Sequence, residues 1–399
     1  MTRLLRSIAL LLLLVTAEAA SAGPVRLGDG VAFEPRVGFN TFALGGPVPD
    51  SNGVYLADPY TPSAWGHPSQ RLTSALVSQV KAAGFKFARV QVSIGPCVQV
   101  VQAGGSHAIL DAANDAAINA FLSQGMGVIW SPYISGYTAT DAYANYQQGV
   151  TKGLFPALLA CERHWAARYK NLSPRLFAID AFNEPTLQRG SIWQTELMPA
   201  LFDAVRAEAP NITQVIEVEN YSDFNILAGV NPSYSQTQNP ANGLDPRRYT
   251  NALFSLHQFL PYPFVYQGAA YSSPARYLTG ISFPPNPAEK AGAIARMQAN
   301  VAADTSLTAT QRDAIVSDLT TQLGYYYDLP QGRAWLSAIY DQVSTWARYW
   351  GVPASSILVG EYAPVRQNPA WIDSAGRPQG PDRVSRANYF AMHASVAMA

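Results

Sequence analysis

Seven short apolar runs alternate with longer stretches of helical periodicity along this chain. The runs are RVGFNTF, FKFARVQVS, MGVIWSPY, LFAIDAFNEP, TQVIEVEN, NALFSLHQF and SILVGEYAP, which begin at residues 36, 85, 126, 176, 213, 251 and 356. Strands that are separated by helices are typical of parallel βαβ units. The alternation therefore predicts an α/β fold, either a barrel or an open sheet, with the helices outside.

The first 22 residues have the three-part pattern of a secretory signal peptide. MTRLLR is a short basic start, IALLLLLV is an apolar stretch, and Ala20 and Ala22 are the small residues of a cleavage site. We predict cleavage after Ala22 and a secreted or periplasmic protein. A membrane anchor is the alternative, but the apolar stretch is shorter than the roughly 18 residues that a spanning helix needs.

The charge balance argues against one class of partner. The formal net charge is zero and only 14% of the residues are charged, whereas a nucleic-acid-binding domain carries a basic excess. Aromatic residues make up 11% of the chain. Aromatic rings with few charges suit a surface that stacks against neutral sugars, and a large aromatic core accounts for them equally well.

The chain has two cysteines, Cys97 and Cys161. No CxxC motif or Cys/His cluster indicates a metal site. An exported protein can form a disulfide, but the sequence does not give the distance between the two sulfurs. A Cys97–Cys161 bridge and two free thiols therefore both stay open.

Each predicted strand ends in a side chain that can contact a ligand. In chain order these are Asn40, Arg89, Tyr133, Glu184, Asn220, His257 and Glu361. In a (β/α)8 barrel the carboxyl ends of the strands gather at one rim, where active sites lie. A single polar strand end means little, but this set as a whole predicts an active site.

Two carboxylates at such a rim fit the hydrolysis of a glycosidic bond. One carboxyl group protonates the leaving oxygen, and the other attacks the sugar or activates water. Glu184 and Glu361 are the candidates, with Arg89 as the cation that keeps the nucleophile ionised. Asn183 is a candidate donor to a sugar hydroxyl. We expect Asp180 to be a buried hydrogen-bond partner. We interpret Glu217 and Glu219 in the fifth strand as structural residues or as residues that support the catalytic groups from behind.

The segments FAIDAFNEP, SILVGEYAP and LFSLHQFLPYPFVYQGAAY resemble glycoside hydrolase family 5, the cellulase family. By this resemblance Glu184 is the acid/base and Glu361 is the nucleophile. Arg89, Asn183 and His257 match residues that position the substrate and the nucleophile. The resemblance runs over most of the mature chain and implies a (β/α)8 TIM barrel, no cofactor, and retaining hydrolysis of β-linked glucans.

Three departures from the family pattern affect the site. Phe259 stands where the family has a tyrosine, and a phenyl ring cannot donate a hydrogen bond. Tyr262 and Tyr266 of the next loop are the candidate replacements. Tyr133 stands in place of a histidine at the end of the third strand. After Glu361 no counterpart of the eighth strand follows, and Trp371 is the last tryptophan. We therefore predict a barrel that lacks its eighth strand, and we favour C-terminal truncation of the reading frame as the cause. The alternatives are that another element closes the gap or that the chain pairs with a second copy of itself.

The sequence thus predicts a signal peptide over residues 1–22 and one catalytic barrel domain over residues 23–399. The predicted function is an exported, monomeric endo-β-1,4-glucanase that acts on a polysaccharide. Tyr133, Phe259, Tyr262 and Trp371 are the candidate surfaces for sugar rings. The alternative is a catalytically impaired barrel that binds polysaccharide. A hydrolase of another kind is disfavoured, because the chain has neither a GxSxG nor an HExxH motif.

Overall fold

The structure is a computed structural model. It describes residues 33, 37–41, 54–55, 72–134, 143–231, 237–269, 272, 274–328, 332–365, 368–372, 376 and 378–397. The predicted signal peptide, residues 1–22, lies outside the described residues.

All seven predicted strands are present and form one sheet in the order β1-β2-β3-β4-β5-β6-β7. Their bounds are Gly38–Thr41, Phe87–Ser93, Gly127–Tyr133, Phe177–Asp180, Thr213–Glu217, Ala252–His257 and Ile357–Glu361. Neighbouring strands from β1 to β5 pair in parallel. This is the strand order of a (β/α)8 barrel without one strand, which confirms the predicted fold class.

No eighth strand joins this sheet in the part of the chain that the structure describes. The residues after β7 instead form a separate antiparallel pair, β8 (Asn368–Ile372) and β9 (Pro378–Gln379). A helix, Arg383–Ala397, follows them. The prediction of a missing strand is confirmed.

The longer helices are α1 to α9, of which the first eight lie between strands of the sheet and α9 follows the last strand. Their bounds are Ser74–Ala82, Gly95–Ala103, Ala108–Leu122, Phe155–Tyr169, Met198–Glu208, Lys290–Ala303, Ala309–Asp328, Arg333–Trp350 and Arg383–Ala397. Thr73 caps α1, because its side-chain oxygen accepts the Leu76 N–H at 3.1 Å. Within the described ranges, no helix combines the length and the apolar character that crossing a membrane requires.

The chain divides into two compact units. The first unit comprises residues 1–221, 228–254 and 345–358, and the second comprises residues 222–227, 255–344 and 359–399. One buried residue from each of β2 to β7 contributes to a core of the first unit: Phe87, Ile129, Ala178, Val215, Leu253 and Leu358. The core of the second unit includes buried residues of α6, α7 and α9, among them Met297, Leu323 and Tyr389.

A large side chain in this first core requires small neighbours. Phe87 pairs with Gly38 of β1 on one side and Gly127 of β3 on the other. A Cβ at Gly38 would lie 2.2 Å from the Phe87 ring. Glycine at position 38 therefore allows the first strand to lie beside the aromatic core.

Cys97 in α2 and Cys161 in α4 form a disulfide bond, with their Cα atoms 6.1 Å apart. The bridge joins residues that are 64 positions apart in the sequence. It resolves the alternatives that the sequence left open, in favour of the bonded pair.

Candidate active site

Arg89 is the buried centre of the polar cluster in the first unit. It lies in β2 with only 1% of its surface exposed. Its guanidinium donates to Asp180 at the end of β4 and, at 2.7 Å, to Glu217 at the end of β5. The Nη2 atom of this guanidinium, which bonds to Glu217, also donates to the Asn183 side-chain oxygen at 2.7 Å. One arginine thus ties together the ends of β4 and β5.

Asp180 is the hydrogen-bond partner that the sequence predicts. Its Oδ2 accepts from Arg89 and, at 2.8 Å, from the Ser131 hydroxyl. Burial raises the pKa of the Asp180 carboxyl, and the neighbouring charge of Glu217 raises it further, while Arg89 acts in the opposite direction. The cluster contains two buried carboxyl groups around a single guanidinium, and desolvation is the main cause of the raised pKa of Asp180.

Asn183 follows β4 with its side-chain oxygen fully committed. That oxygen accepts from Arg89 and, at 3.3 Å, from the Gln91 amide. The Asn183 backbone N–H donates to the Pro132 carbonyl at 2.9 Å. Because its oxygen faces the buried donors, the amide nitrogen of Asn183 is oriented away from them.

Glu184 has a backbone conformation that is rare for its residue type. Its φ is +52°, in the left-handed region, and its side chain is half-buried. The backbone N–H donates to Glu217 Oε2 at 2.7 Å. Strained conformations of this kind cost about 1–3 kcal/mol, persist only where the surroundings hold them, and concentrate at functional sites.

Glu217 and Glu219 have different partners although they are two residues apart. Glu217 binds Arg89 and the Glu184 backbone, as described above. Glu219 accepts from the Gly190 N–H at 2.5 Å and from the Ser191 hydroxyl at 2.6 Å. Glu219 therefore holds a loop, whereas Glu217 holds the segment that carries Glu184. The expectation that both are structural agrees with these contacts.

A run of left-handed residues follows β5, and the sequence does not predict it. Asn220, Tyr221 and Ser222 have φ values of +56°, +62° and +57°. The Tyr221 side chain is 52% exposed, and its N–H donates to the Pro185 carbonyl at 2.9 Å. Asparagine tolerates this conformation, but no pattern in the sequence indicates that a tyrosine would adopt it. Tyr221 is an exposed aromatic surface that sequence reasoning missed.

In the second unit, the end of β7 depends on a close approach to β6. A Cβ at Gly360 would lie 2.3 Å from the Ser255 hydroxyl and 2.9 Å from His257 Nε2. Glu361 comes next, is half-buried, and accepts the Gln258 N–H through its backbone carbonyl at 2.8 Å. The glycine before Glu361 therefore allows His257 to pack directly against the strand that carries this carboxylate.

The aromatic residues after β6 form a series of ring contacts. Phe259 meets His257 edge-on with centroids 6.2 Å apart, and it contacts Tyr266 at 6.0 Å. Tyr262 contacts Tyr266 at 5.0 Å, and its hydroxyl hydrogen-bonds to Ser272 at 3.1 Å. Phe259 and Tyr262, both predicted as sugar platforms, thus lie in the same unit as His257 and Glu361.

The remaining predicted site residues are Tyr133 and Trp371. Tyr133 ends β3, is half-buried, and accepts the Ile94 N–H through its carbonyl at 2.9 Å. The backbone of Trp371 lies in β8, not in an irregular loop.

One group of potential metal donors lies in the first unit. Donor atoms of Cys97, His107 and Cys161 lie within 4.8 Å of one another. The two sulfurs are bonded to each other, and a metal ligand has to be a thiolate. The bonded pair is therefore not a metal site.

The fold and these residues define a class of protein. A parallel sheet with (β/α)8-type strand order has a half-buried glutamate after its fourth strand and another at the end of its seventh. Strand ends are where barrel active sites lie, and two carboxyl groups are what glycoside hydrolysis needs. The family description Cellulase (glycosyl hydrolase family 5) matches residues 48–318. The chain therefore belongs to the cellulase family, glycosyl hydrolase family 5, and is a glycoside hydrolase.

Solved structures share the fold at low sequence identity. Subunit Z of the cellulose synthase of Clostridioides difficile has a TM-score of 0.57 at 14% identity, over 92% of this chain and 88% of that one. A hyperthermophilic endo-β-1,4-glucanase with bound substrate has a TM-score of 0.56 at 16% identity, over 92% and 86%. Thermotoga maritima Cel5A with mannotriose has a TM-score of 0.54 at 14% identity, over 88% and 85%. No curated protein matches the sequence.

Proposed function

We propose that this protein is an exported, retaining endo-β-1,4-glucanase in which Glu184 is the acid/base and Glu361 is the nucleophile. The observation that carries the proposal is the conformation of Glu184. Its backbone is left-handed and held by Glu217, and its side chain is half-buried. A half-buried carboxylate in a strained and supported backbone fits a group that has to meet a substrate in one geometry.

The reaction takes two steps. Glu361 attacks the anomeric carbon while Glu184 gives its proton to the leaving glycosidic oxygen, so that the glycosidic bond breaks and a glycosyl–enzyme ester forms. Glu184, now a carboxylate, takes a proton from water as the water oxygen attacks the anomeric carbon, and the bond from that carbon to the Glu361 oxygen breaks. The sugar leaves with its anomeric configuration retained, and both carboxyl groups return to their starting states.

The residues beside each glutamate, taken unit by unit, support this division of roles. The Asn183 oxygen is held by Arg89 and Gln91, which leaves its amide nitrogen to donate to a sugar hydroxyl. His257 packs beside the strand that delivers Glu361, and we assign it to positioning. Tyr133, Phe259, Tyr262 and the exposed Tyr221 are candidate surfaces for sugar rings, as is Trp371.

The substrate is proposed from the family and from the fold relatives. The relatives include endoglucanases and a structure with mannotriose, so mannan belongs in the test beside glucans. We expect the purified protein to release reducing ends from carboxymethyl-cellulose, with slower release from xyloglucan and mannan. A folded sample that hydrolyses none of the three would refute the proposal.

Substrates with good and poor leaving groups can distinguish the roles of the two glutamates. Glu184→Ala should lose activity on substrates with a poor leaving group, retain most of kcat/KM on a dinitrophenyl cellobioside, and respond to added azide. Glu361→Ala should lose activity on both substrates. An identical loss from both variants on both substrates would contradict the assignment. Glucan binding by wild type without hydrolysis, unchanged in Glu361→Gln, would favour the polysaccharide-binding alternative.

We propose export from the N-terminal sequence. Cleavage after Ala22 leaves Gly23 as the first residue of the mature protein. N-terminal sequencing of protein recovered from the periplasm or the medium tests this. An intact Met1 in the recovered protein would contradict it. We further propose that the mature enzyme is a monomer, which gel filtration with light scattering checks directly.

A further inference from the structure

A cavity of ≈ 340 Å³ opens on the second unit, within the range of about 300–1,000 Å³ that ligand sites occupy. We call it the aromatic cavity. It is lined by four aromatic residues, together with Leu260, Gln322 and two prolines; the aromatic residues are Tyr262, Tyr325, Tyr326 and Trp335. None of the described residues that line it is charged. Its chemistry suits a neutral ligand with apolar faces and hydroxyl groups.

The aromatic cavity has fixed walls and an exposed rim. The Tyr326 hydroxyl donates to the Ser282 carbonyl, and the Tyr262 hydroxyl bonds to Ser272 at 3.1 Å. Tyr325, by contrast, is 64% exposed. Two tyrosines are thus held in place before any ligand arrives, which reduces the entropy lost on binding. Because Tyr325 is exposed, packing in the core does not account for a tyrosine at this position.

Ring contacts connect the aromatic cavity to the end of β6. His257, Phe259, Tyr266 and Tyr262 contact one another in that order, with centroids 6.2, 6.0 and 5.0 Å apart. Tyr262 is both the last ring of this series and a wall of the cavity. Within the second unit, packed rings therefore link a wall of the cavity to the strand end where the proposed function places substrate.

We propose that the aromatic cavity binds a section of neutral β-glucan chain away from the bond that is cleaved, an inference that rests on the proposed function. The ring faces of the cavity would stack against the C–H faces of the sugars. The uncharged lining favours a neutral polysaccharide over a charged peptide or an anionic ligand, which would need a charged partner.

The test measures binding and length dependence with matched variants. Tyr325→Ala removes the exposed rim, and Trp335→Ala removes a second wall. Tyr349→Ala is the control, because Tyr349 is similarly exposed, at 57%, on the neighbouring helix α8 and does not line the cavity. Each is made in the full chain with Glu361→Gln and titrated with cellohexaose by calorimetry, and each is also assayed without Glu361→Gln.

We expect Tyr325→Ala to weaken cellohexaose binding by about tenfold, which is the typical effect of losing one aromatic anchor. Trp335→Ala should weaken it at least as much, while Tyr349→Ala binds like the parent. When Tyr325→Ala and Trp335→Ala are assayed without Glu361→Gln, their increase in KM over wild type should be larger for longer glucans. Equal affinities for Tyr325→Ala and Tyr349→Ala would overturn the proposal.

Failure of this inference is distinguishable from failure of the proposed function. If wild type hydrolyses glucans and Tyr325→Ala binds cellohexaose normally, the enzyme stands and the glucan site is wrong. If wild type hydrolyses no glucan but Tyr325→Ala still loses binding, the site stands and the catalytic proposal is wrong. Self-association of wild type that Tyr325→Ala abolishes, with glucan binding unchanged, would make the cavity a subunit interface and overturn the inference.

Discussion

The substitution Glu217→Gln tests whether the buried cluster positions Glu184. Glu217 accepts from Arg89 Nη2 through one oxygen and from the Glu184 N–H through the other, each at 2.7 Å. A glutamine has the same shape but only one acceptor oxygen. Its NH2 group would therefore face one of these two donors, and Arg89 would lose one of its anionic partners.

The magnitude follows from these two contacts. Removing one partner of a buried ion pair costs about 3–5 kcal/mol, and the amide retains one acceptor, so we expect a loss near the lower end, roughly 3 kcal/mol. For a chain of this size that corresponds to a fall in Tm of about 4 °C. A shift of Glu184 by about 1 Å costs on the order of 100-fold in rate.

The assay compares two leaving groups and one control variant. For Glu217→Gln, kcat/KM should fall about 100-fold on a cellobioside with a poor leaving group and by less than about tenfold on the dinitrophenyl cellobioside, which needs little protonation. Glu219→Gln is the control, since Glu219 is equally buried but holds only the loop at Gly190 and Ser191. It should lose stability without leaving-group dependence. Equal losses on both substrates for Glu217→Gln would refute the reasoning.

Three further predictions concern buried groups. Burial lowers the pKa of His393 to about 3, so below pH ~6.5 only the unfolded chain takes up a proton at this residue. By pH 5 this uptake lowers the stability of the fold by about 2 kcal/mol. His393→Phe should therefore reduce, by that amount, the loss of stability against urea between pH 7 and pH 5. Burial raises the pKa of Glu162 well above its usual value, so this residue destabilises the folded state increasingly as pH rises above ~4.5. The stability of Glu162→Gln relative to wild type should therefore increase from pH 5 to pH 8. A difference in stability that does not depend on pH would contradict this. Replacing Cys97 and Cys161 by serine should cost about 4 kcal/mol, because the bridge spans 64 positions, and a reductant should then destabilise wild type but not the variant.

The strand order could be predicted because each strand is a buried apolar run between helices. Such runs carry a local signal, and all seven strands lie where the sequence placed them. Their ends were less predictable. LFAIDAFNEP reads as one strand, but β4 ends at Asp180, and Asn183 and Glu184 follow in an irregular backbone. Beyond Asp180 the Asn183 N–H still donates to the Pro132 carbonyl of β3, but the Glu184 N–H donates to the side chain of Glu217. Local sequence does not encode that distant contact.

The partners of the site residues could not be predicted, because they are distant in the chain. Arg89 meets Asp180 and Glu217 across sequence separations of 91 and 128 residues. The sequence indicates a cation at the end of a strand but not which carboxylates surround it. Tyr325 is a similar case, because an exposed tyrosine on a largely polar helix shows no periodicity that marks it as part of a cavity.

The buried cluster is better explained by positioning than by stability. Buried ion pairs seldom stabilise a fold relative to apolar residues of the same size, and the raised pKa of Asp180 shows that burial disfavours its charge. What the cluster achieves is geometric. Arg89 orients the Asn183 amide, and Glu217 holds the backbone of Glu184 in a conformation that it would otherwise leave. An apolar replacement of the cluster could fold as well, but nothing in it would hold the Glu184 carboxylate in place.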